Sequence, residues 1–217
     1  AVTYIFPVQM LIISVAVGTG VGINSLIARR LGAQRYEEAD LAASHGYRIS
    51  FFNWMFFALI GIFLSGPMMH LMSDTPYIIE NGEKYMFIIT VGSLFSIIQI
   101  TTEKILQSTG NMKIPMICSI CGAVTNIILD PMFIFGVGPF PEMGVTGAAV
   151  ATILGQLVSM CLGQYFLFAK EHAVHVKLRG WKVQGRILRD IYAVGAPAIL
   201  MQSITSVMQF GMNIILG

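Results

Sequence analysis

The chain has 217 residues, of which 55% are apolar and 11% are charged, with a formal net charge of +2 and a mean hydropathy of +0.74. A soluble domain carries about a quarter of its residues as Asp, Glu, Lys and Arg, so the composition argues against a soluble protein and predicts an integral membrane protein. The small net charge gives no support for nucleic-acid binding, and the three cysteines have neither the number nor the spacing of a zinc site. We therefore predict no metal and no cofactor.

Six apolar stretches are long enough to cross a bilayer, which takes about 20 helical residues. In chain order they are Tyr4–Ala28, Ile49–Met72, Tyr85–Leu106, Ile114–Phe135, Val145–Ala169 and Ile191–Gly217. The chain begins without Met or a basic leader segment, and it ends within the sixth stretch. We interpret both ends as lying inside a longer protein.

The distribution of charge predicts the orientation of these helices. Twelve of the 13 Lys and Arg residues lie in or beside the first, third and fifth connectors, which are Arg29–Arg48, Gln107–Lys113 and Lys170–Asp190. Only Lys84 lies on the other side. The positive-inside rule places the basic connectors in the cytoplasm. In the fifth connector, apolar residues alternate with basic ones from Val176 onwards, which indicates an amphipathic segment on the cytoplasmic surface of the membrane.

Small residues predict where helices touch each other. Gly18 and Gly22 form a GxxxG pattern in the first stretch, and glycines and alanines crowd the segment from Gly144 to Gly155. In lipid, close approach of backbones replaces the hydrophobic drive between helices.

Asp130 is the one acidic residue deep inside an apolar stretch. A charged Asp at mid-membrane costs about 2.5–3.5 kcal/mol on insertion scales, and no basic residue within a stretch is placed to neutralise it. Its surroundings therefore favour a protonated carboxyl that can exchange its proton. Asn126 lies four residues earlier on the same helical face and is a candidate partner. Pro131 removes a backbone N–H and permits a bend beside the acid; the alternative is that Asp130 caps an outer helix end.

Polar side chains also form stripes on three predicted helices, each of which could line a wet cavity or join helices by hydrogen bonds. The stripes are Gln202, Ser206, Gln209 and Asn213 on the sixth stretch, Thr152 and Gln156 on the fifth, and Gln99, Thr102 and Glu103 on the third. For Glu103 we expect an ion pair with the adjacent Lys104. The sequence contains no nucleophile–base pair and no phosphate-binding loop, so we predict that the protein is not an enzyme.

Four segments together resemble the multidrug and toxic compound extrusion (MATE) family of transporters. Gly22–Ala33 resembles the end of the family's second helix, and Gln107–Lys113 resembles its connector between helices four and five. Asn126–Pro131, followed by Gly144–Thr152, resembles helices five and six. The resemblance covers essentially the whole chain in order and with proper spacing.

The resemblance implies an all-α antiporter of twelve transmembrane helices in two lobes. Residues 1–169 would form helices two to six of the first lobe, residues 170–190 the cytoplasmic connector, and residues 191–217 the start of helix seven. In the DinF-like branch, a proton-linked Asp and a nearby Asn on helix five correspond to Asp130 and Asn126. A helix-six Thr of the same cluster corresponds to Thr152.

A second branch of the family, the NorM-like branch, has a prominent Glu on helix seven. This chain has Gln202, Ser206 and Gln209 in that span and no acid. The absence of the Glu argues against sodium coupling at that position, and the resemblance therefore favours the DinF-like branch. The three residues and Gln156 are the candidates for a substrate cavity.

The sequence thus predicts a multi-pass protein of a bacterial or archaeal plasma membrane that exports lipophilic or cationic compounds in exchange for H⁺ or Na⁺. Its partners would be the lipid bilayer and the rest of its own chain. The alternative from the same superfamily is a flippase of a polyprenyl-linked saccharide. An anionic diphosphate headgroup would require Arg or Lys in mid-span, where the sequence has none. A non-transporting membrane scaffold is a third possibility, and it would not need Asp130.

Overall fold

The computed structural model describes residues 2–72, 76–136, 143–169, 174–176 and 184–216. Within these ranges the chain forms α-helices and no β-strand. The helices are α1 Val2–Gly32, α2 Tyr36–Met72, α3 Pro76–Ser108, α4 Lys113–Phe135, α5 Gly144–Ala169 and α6 Gly185–Leu216. The all-α fold with six long helices is confirmed.

Five of the helices are long and apolar enough to cross a membrane by length and composition. The segments are Ile5–Gly32, Tyr36–His70, Ile79–Ser108, Lys113–Phe135 and Gly144–Ala169. Several side chains in the second half of α6 lie outside the described part of the structure, and the sixth span stays a prediction.

Three helices begin earlier than the hydropathy pattern predicts. The observed starts are Tyr36, Pro76 and Gly185, in place of Ile49, Tyr85 and Ile191. Hydropathy identifies the residues that lie in the apolar part of the membrane. A helix can extend beyond the membrane when one of its faces packs against other helices. In the first turn of α2, Glu37 and Glu38 lie at the positive end of the helix dipole, and the following Ala39 is fully buried. The first connector therefore shortens to residues 33–35.

The bundle is organised around α3, which packs against α1, α2 and α5. The helix α6 lies along α1, and α4 lies along α5 with only slight contact to α3. Much of the outer surface of α4 is exposed and apolar, with Ile127 at 69% exposure, as expected of a surface that faces lipid.

The ends of the helices confirm that the first, third and fifth connectors share one side of the bundle. A single buried cluster joins the end of α1 to the start of α2, the end of α3 to the start of α4, and the end of α5 to the start of α6. Ile27, Ala39, Leu106, Ile114 and Ile191 are representative members. Consecutive helices therefore alternate in direction, as the charge pattern predicts.

The described part of the fifth connector is attached to α2. The backbone N–H of His175 donates to Asp40 Oδ1 at 2.7 Å, and that of Gln184 donates to His45 Nε2 at 3.1 Å. Ile187 and Leu188 pack against the buried cluster of the bundle. These two side chains therefore face the bundle and not the membrane surface, because α6 begins at Gly185. The predicted amphipathic segment otherwise falls on residues 177–183, which lie outside the described residues, and it stays a prediction.

Gly18 and Gly22 lie where α1 crosses α6, as the GxxxG pattern predicts. A Cβ atom on Gly18 would lie 2.7 Å from the backbone nitrogen of Ile199. A Cβ atom on Gly22 would collide with the backbone carbonyl of Ile191. Because backbone atoms cannot rotate away, only glycine permits this approach.

Replacing Gly22 with Leu is therefore expected to destabilise the packing of α6 on α1. Overpacking costs about 1–3 kcal/mol, and we expect the upper end because the obstructing atom belongs to the backbone. Thermal unfolding of the full-length protein in detergent measures the loss. Gly32→Leu on the same helix is the matched control, since nothing lies within 4 Å of a Cβ atom there. Equal melting temperatures for the two variants would contradict the prediction.

Candidate functional site

A cavity of about 210 Å³ lies between α3, α4 and α5. Its walls combine polar side chains with glycine and alanine residues. The lining residues are Gln99, Ser119, Gly122, Ala123, Asn126, Thr152, Gly155, Gln156 and Ser159. Among these lining residues there is no Lys or Arg, so the cavity offers amide and hydroxyl groups without a fixed positive charge.

The cavity owes its shape to a close crossing of α4 and α5 at Gly122 and Gly155. A Cβ atom on Gly155 would lie 2.8 Å from the carbonyl oxygen of Gly122 and 3.0 Å from Asn126 Cβ. Beside the crossing, Ser159 Oγ donates to the carbonyl of Cys118 at 2.9 Å. The contact holds Asn126 against α5 and thereby brings it to the same cavity as Thr152.

Asp130 lies one helical turn beyond Asn126 on α4. The Asn126 side chain Nδ2 donates to Asp130 Oδ1 at 3.4 Å, which realises the predicted i,i+4 pair. The helix continues through Pro131 to Phe135, where Gly136 in a left-handed conformation caps it. Asp130 therefore lies inside the helix, and the alternative of an Asp that caps its end does not apply.

The cavity collects several of the residues predicted from the sequence. Asn126, Thr152 and Gln156 all line it. The Thr152 hydroxyl donates to Ala148 O of its own helix at 2.9 Å, so its oxygen remains able to accept a hydrogen bond or to ligate a cation. Asp130 is connected to the cavity through Asn126.

The candidates on α6 do not join this cavity. Gln202 is exposed on α6 and is absent from the lining of the cavity. The side chains of Ser206 and Gln209 lie outside the described part of the structure. Their role in binding a substrate stays a prediction.

Glu103 is a second acidic group beside the cavity; the sequence places it in a polar stripe with Gln99 and Thr102 but does not assign it to this site. Glu103 Oε1 accepts from Ser119 Oγ at 2.6 Å and from Gln99 Nε2 at 3.1 Å. The expected ion pair with Lys104 is wrong, because adjacent residues on a helix point in different directions. Lys104 Nζ instead donates to Gln107 Oε1 at 3.0 Å. The spacing of Gln99 and Glu103 indicated the first contact, whereas Ser119 belongs to another helix.

Comparison with known proteins places the chain among membrane transporters. Residues 1–132, more than half of the chain, match the MatE family model. Multidrug export protein MepA of Staphylococcus aureus is 25% identical over 224 residues, covering 100% of this chain and 47% of that protein. An FAD transporter of Shewanella oneidensis is 29% identical over 170 residues, covering 78% of this chain and 38% of that protein. The chain thus spans about half the length, or less, of these curated relatives.

Solved structures share the fold at similar coverage. The inward-facing conformation of a multidrug resistance MATE family transporter of the MOP superfamily has a TM-score of 0.89 and 33% identity over 96% of this chain and 47% of its own. A MOP superfamily transporter from Pyrococcus furiosus, described with a binding pocket of reversed polarity, has a TM-score of 0.83 and 33% identity over 96% of this chain and 46% of its own. Multiple apolar helices and these relatives make the chain part of a multi-pass membrane protein. The prediction that it is not an enzyme agrees with relatives described as transporters.

Proposed function

Because the chain belongs to the MatE family, we propose that it forms part of a secondary transporter that exports lipophilic cations in exchange for protons, with Asp130 as the coupling carboxylate. The observation that carries the proposal is the Asn126–Asp130 hydrogen bond of 3.4 Å beside a polar cavity that also contains Thr152. The site would act in the plasma membrane of a bacterium or archaeon. The DinF-like branch and the division at residues 169 and 190 remain part of the proposal.

The coupling follows from the two protonation states of Asp130. In its ionised form the carboxylate attracts a cationic compound, because charges interact strongly where water is scarce. Protonation from the outer side removes that attraction and favours release outward. The cycle requires only that the proton and the compound prefer different conformations of the helices around the site. We propose that α4 bends at Pro131, next to Asp130, when the site changes from one conformation to the other.

Two alternatives involve anionic substrates. Similarity to the FAD transporter suggests a flavin dinucleotide as the first alternative substrate. The second is a polyprenyl-linked saccharide, which flippases of the wider superfamily move. Both compounds carry a diphosphate, which proteins bind with Arg or Lys side chains or with a helix N-terminus. The described lining of the cavity contains no Lys or Arg, and both acidic groups near it lack an ion-pair partner within the described ranges. These features favour a cationic substrate.

Transport by the full-length protein in proteoliposomes tests the proposal. With the interior acidic and sodium absent, we expect concentrative uptake of ethidium by the molecules whose cytoplasmic side faces outward. A sodium gradient alone, with equal pH on both sides, is the second arm and identifies sodium coupling. FAD and a lipid-linked saccharide replace ethidium in two further arms. Transport of either anionic compound without transport of ethidium would overturn the proposal.

A further inference from the structure

Glu103 provides a second carboxylate, beside the cavity and next to two of its lining residues, that the proposed coupling does not use. Its two donors, Gln99 and Ser119, both line the cavity, and both bind the same oxygen, Oε1. Among the described residues no hydrogen bond is recorded to Oε2. The side chain is thus fixed in orientation by two neutral donors, while one oxygen remains available to a ligand.

The negative charge of Glu103 is not balanced by a nearby basic residue in the described ranges. The recorded ion pairs involve Arg30, Arg35 and Lys84. Lys104, the neighbour in sequence, binds Gln107 instead. A carboxylate held only by neutral donors is suited to a cation that arrives from elsewhere.

Glu103 and Asp130 lie towards opposite ends of the cavity. Glu103 is five residues before the end of α3, which is about 7.5 Å along the helix axis. That end belongs to the side that the positive-inside rule assigns to the cytoplasm. Asp130 is eleven residues beyond Ser119 on α4, or about 16 Å towards the other side. A compound that leaves the cytoplasm would meet Glu103 first.

We propose that Glu103 is a cytoplasm-side binding site for the positively charged group of the exported compound, separate from the coupling carboxylate. The inference rests on the proposed export of lipophilic cations. Gln99 and Ser119 hold the carboxylate in place, and the short side chain of Ala123 leaves space for an apolar substituent beside it. Ligand pockets for drug-sized molecules measure about 300–1,000 Å³, so this cavity of about 210 Å³ accommodates the charged end of such a molecule rather than the whole.

Equilibrium binding of tetraphenylphosphonium to the purified full-length protein tests the site. Glu103→Gln keeps an acceptor for Ser119 but removes the charge, and we expect the Kd to rise about tenfold, which corresponds to about 1.4 kcal/mol. Glu83→Gln, the same substitution at the far end of α3, is the matched control and should change the Kd by less than about twofold. In transport assays Glu103→Gln should raise the KM for ethidium and leave the dependence of efflux on the pH gradient intact.

Chemical protection of the wild-type protein gives a test that needs no variant. A water-soluble carbodiimide with glycine ethyl ester modifies accessible carboxyl groups, and peptide mass spectrometry quantifies each of them. We expect tetraphenylphosphonium to protect Glu103 with a midpoint at its Kd, while Glu83 reacts equally with and without it.

The two proposals fail in different ways. A wild-type protein that neither binds tetraphenylphosphonium nor exports ethidium would overturn the proposed function and the inference with it. A wild-type protein that binds the cation, together with unchanged affinity in Glu103→Gln or unprotected Glu103, would overturn the inference alone.

Discussion

Replacing Asp130 with Asn in the full-length protein is expected to slow proton-driven efflux of ethidium by at least about tenfold. The substitution keeps an oxygen that accepts the hydrogen bond from Asn126 Nδ2, and it removes only the charge and the exchangeable proton. If Asp130 couples the two fluxes, the residual transport should no longer respond to an imposed pH gradient.

The expected magnitude follows from the electrostatics of a carboxylate and a bound cation. At a separation of 4 Å and an effective dielectric constant of 20, the attraction is about 4 kcal/mol. Each 1.4 kcal/mol corresponds to about a tenfold change. Solvent screening lowers the value, so we expect efflux to fall by a factor between about ten and several hundred.

Asp40→Asn is the matched control for this experiment. Asp40 accepts a hydrogen bond from the backbone N–H of His175 at 2.7 Å, and an asparagine oxygen can accept the same bond. Efflux by this variant should stay within about twofold of the wild-type rate. Proton-driven efflux at the wild-type rate in Asp130→Asn would exclude Asp130 as the coupling residue and would favour a scaffold role or a different carboxylate.

Much of the candidate site could be predicted because its chemistry is local in sequence. An acid in an apolar helix stands out by composition, and the four-residue spacing of Asn126 and Asp130 follows from helical geometry. The direction of the helices was also predictable, because the number of basic residues in a connector depends on the side of the membrane it lies on. It does not depend on how the helices pack. Thr152 was assigned to the same cluster as Asp130 and Asn126 through the family resemblance.

The hydrogen bond between Ser119 on α4 and Glu103 on α3 could not be predicted from the sequence alone. The bond from Ser119 Oγ to Glu103 Oε1, at 2.6 Å, depends on the axial offset and rotation of two helices that contact each other only slightly. A single sequence contains no measure of either quantity. The expected pairing with Lys104 relied on adjacency along the chain, which does not bring side chains together on a helix.

The early starts of α2 and α3 were missed for a different reason. Hydropathy reports the environment of a residue, whereas the end of a helix depends on capping, charge and packing beyond the membrane. Ala39 is fully buried in a segment that contains too many charges to resemble a membrane span. The contacts that stabilise it come from other helices.

Replacing Gly155 with Ala is expected to disrupt the site without touching any polar group. The new methyl group would lie 2.8 Å from the carbonyl oxygen of Gly122 and 3.0 Å from Asn126 Cβ. Because the first obstacle is backbone, α4 and α5 must move apart, and Asn126 then moves away from Thr152. Overpacking costs about 1–3 kcal/mol, and we expect both a lower melting temperature and about tenfold slower ethidium efflux.

Gly163→Ala on the same helix separates this effect from helix propensity. Alanine is favoured over glycine within a helix by about 1 kcal/mol, so a substitution that only stiffens α5 should stabilise the protein. At Gly163 the methyl group would lie 3.3 Å from Thr102 Cγ2, a side-chain atom that can yield by a few tenths of an ångström. We therefore expect Gly163→Ala to retain stability and efflux. Opposite signs in the two variants would assign the loss in Gly155→Ala to the α4–α5 crossing, whereas equal efflux would mean that transport tolerates a wider separation of Asn126 and Thr152.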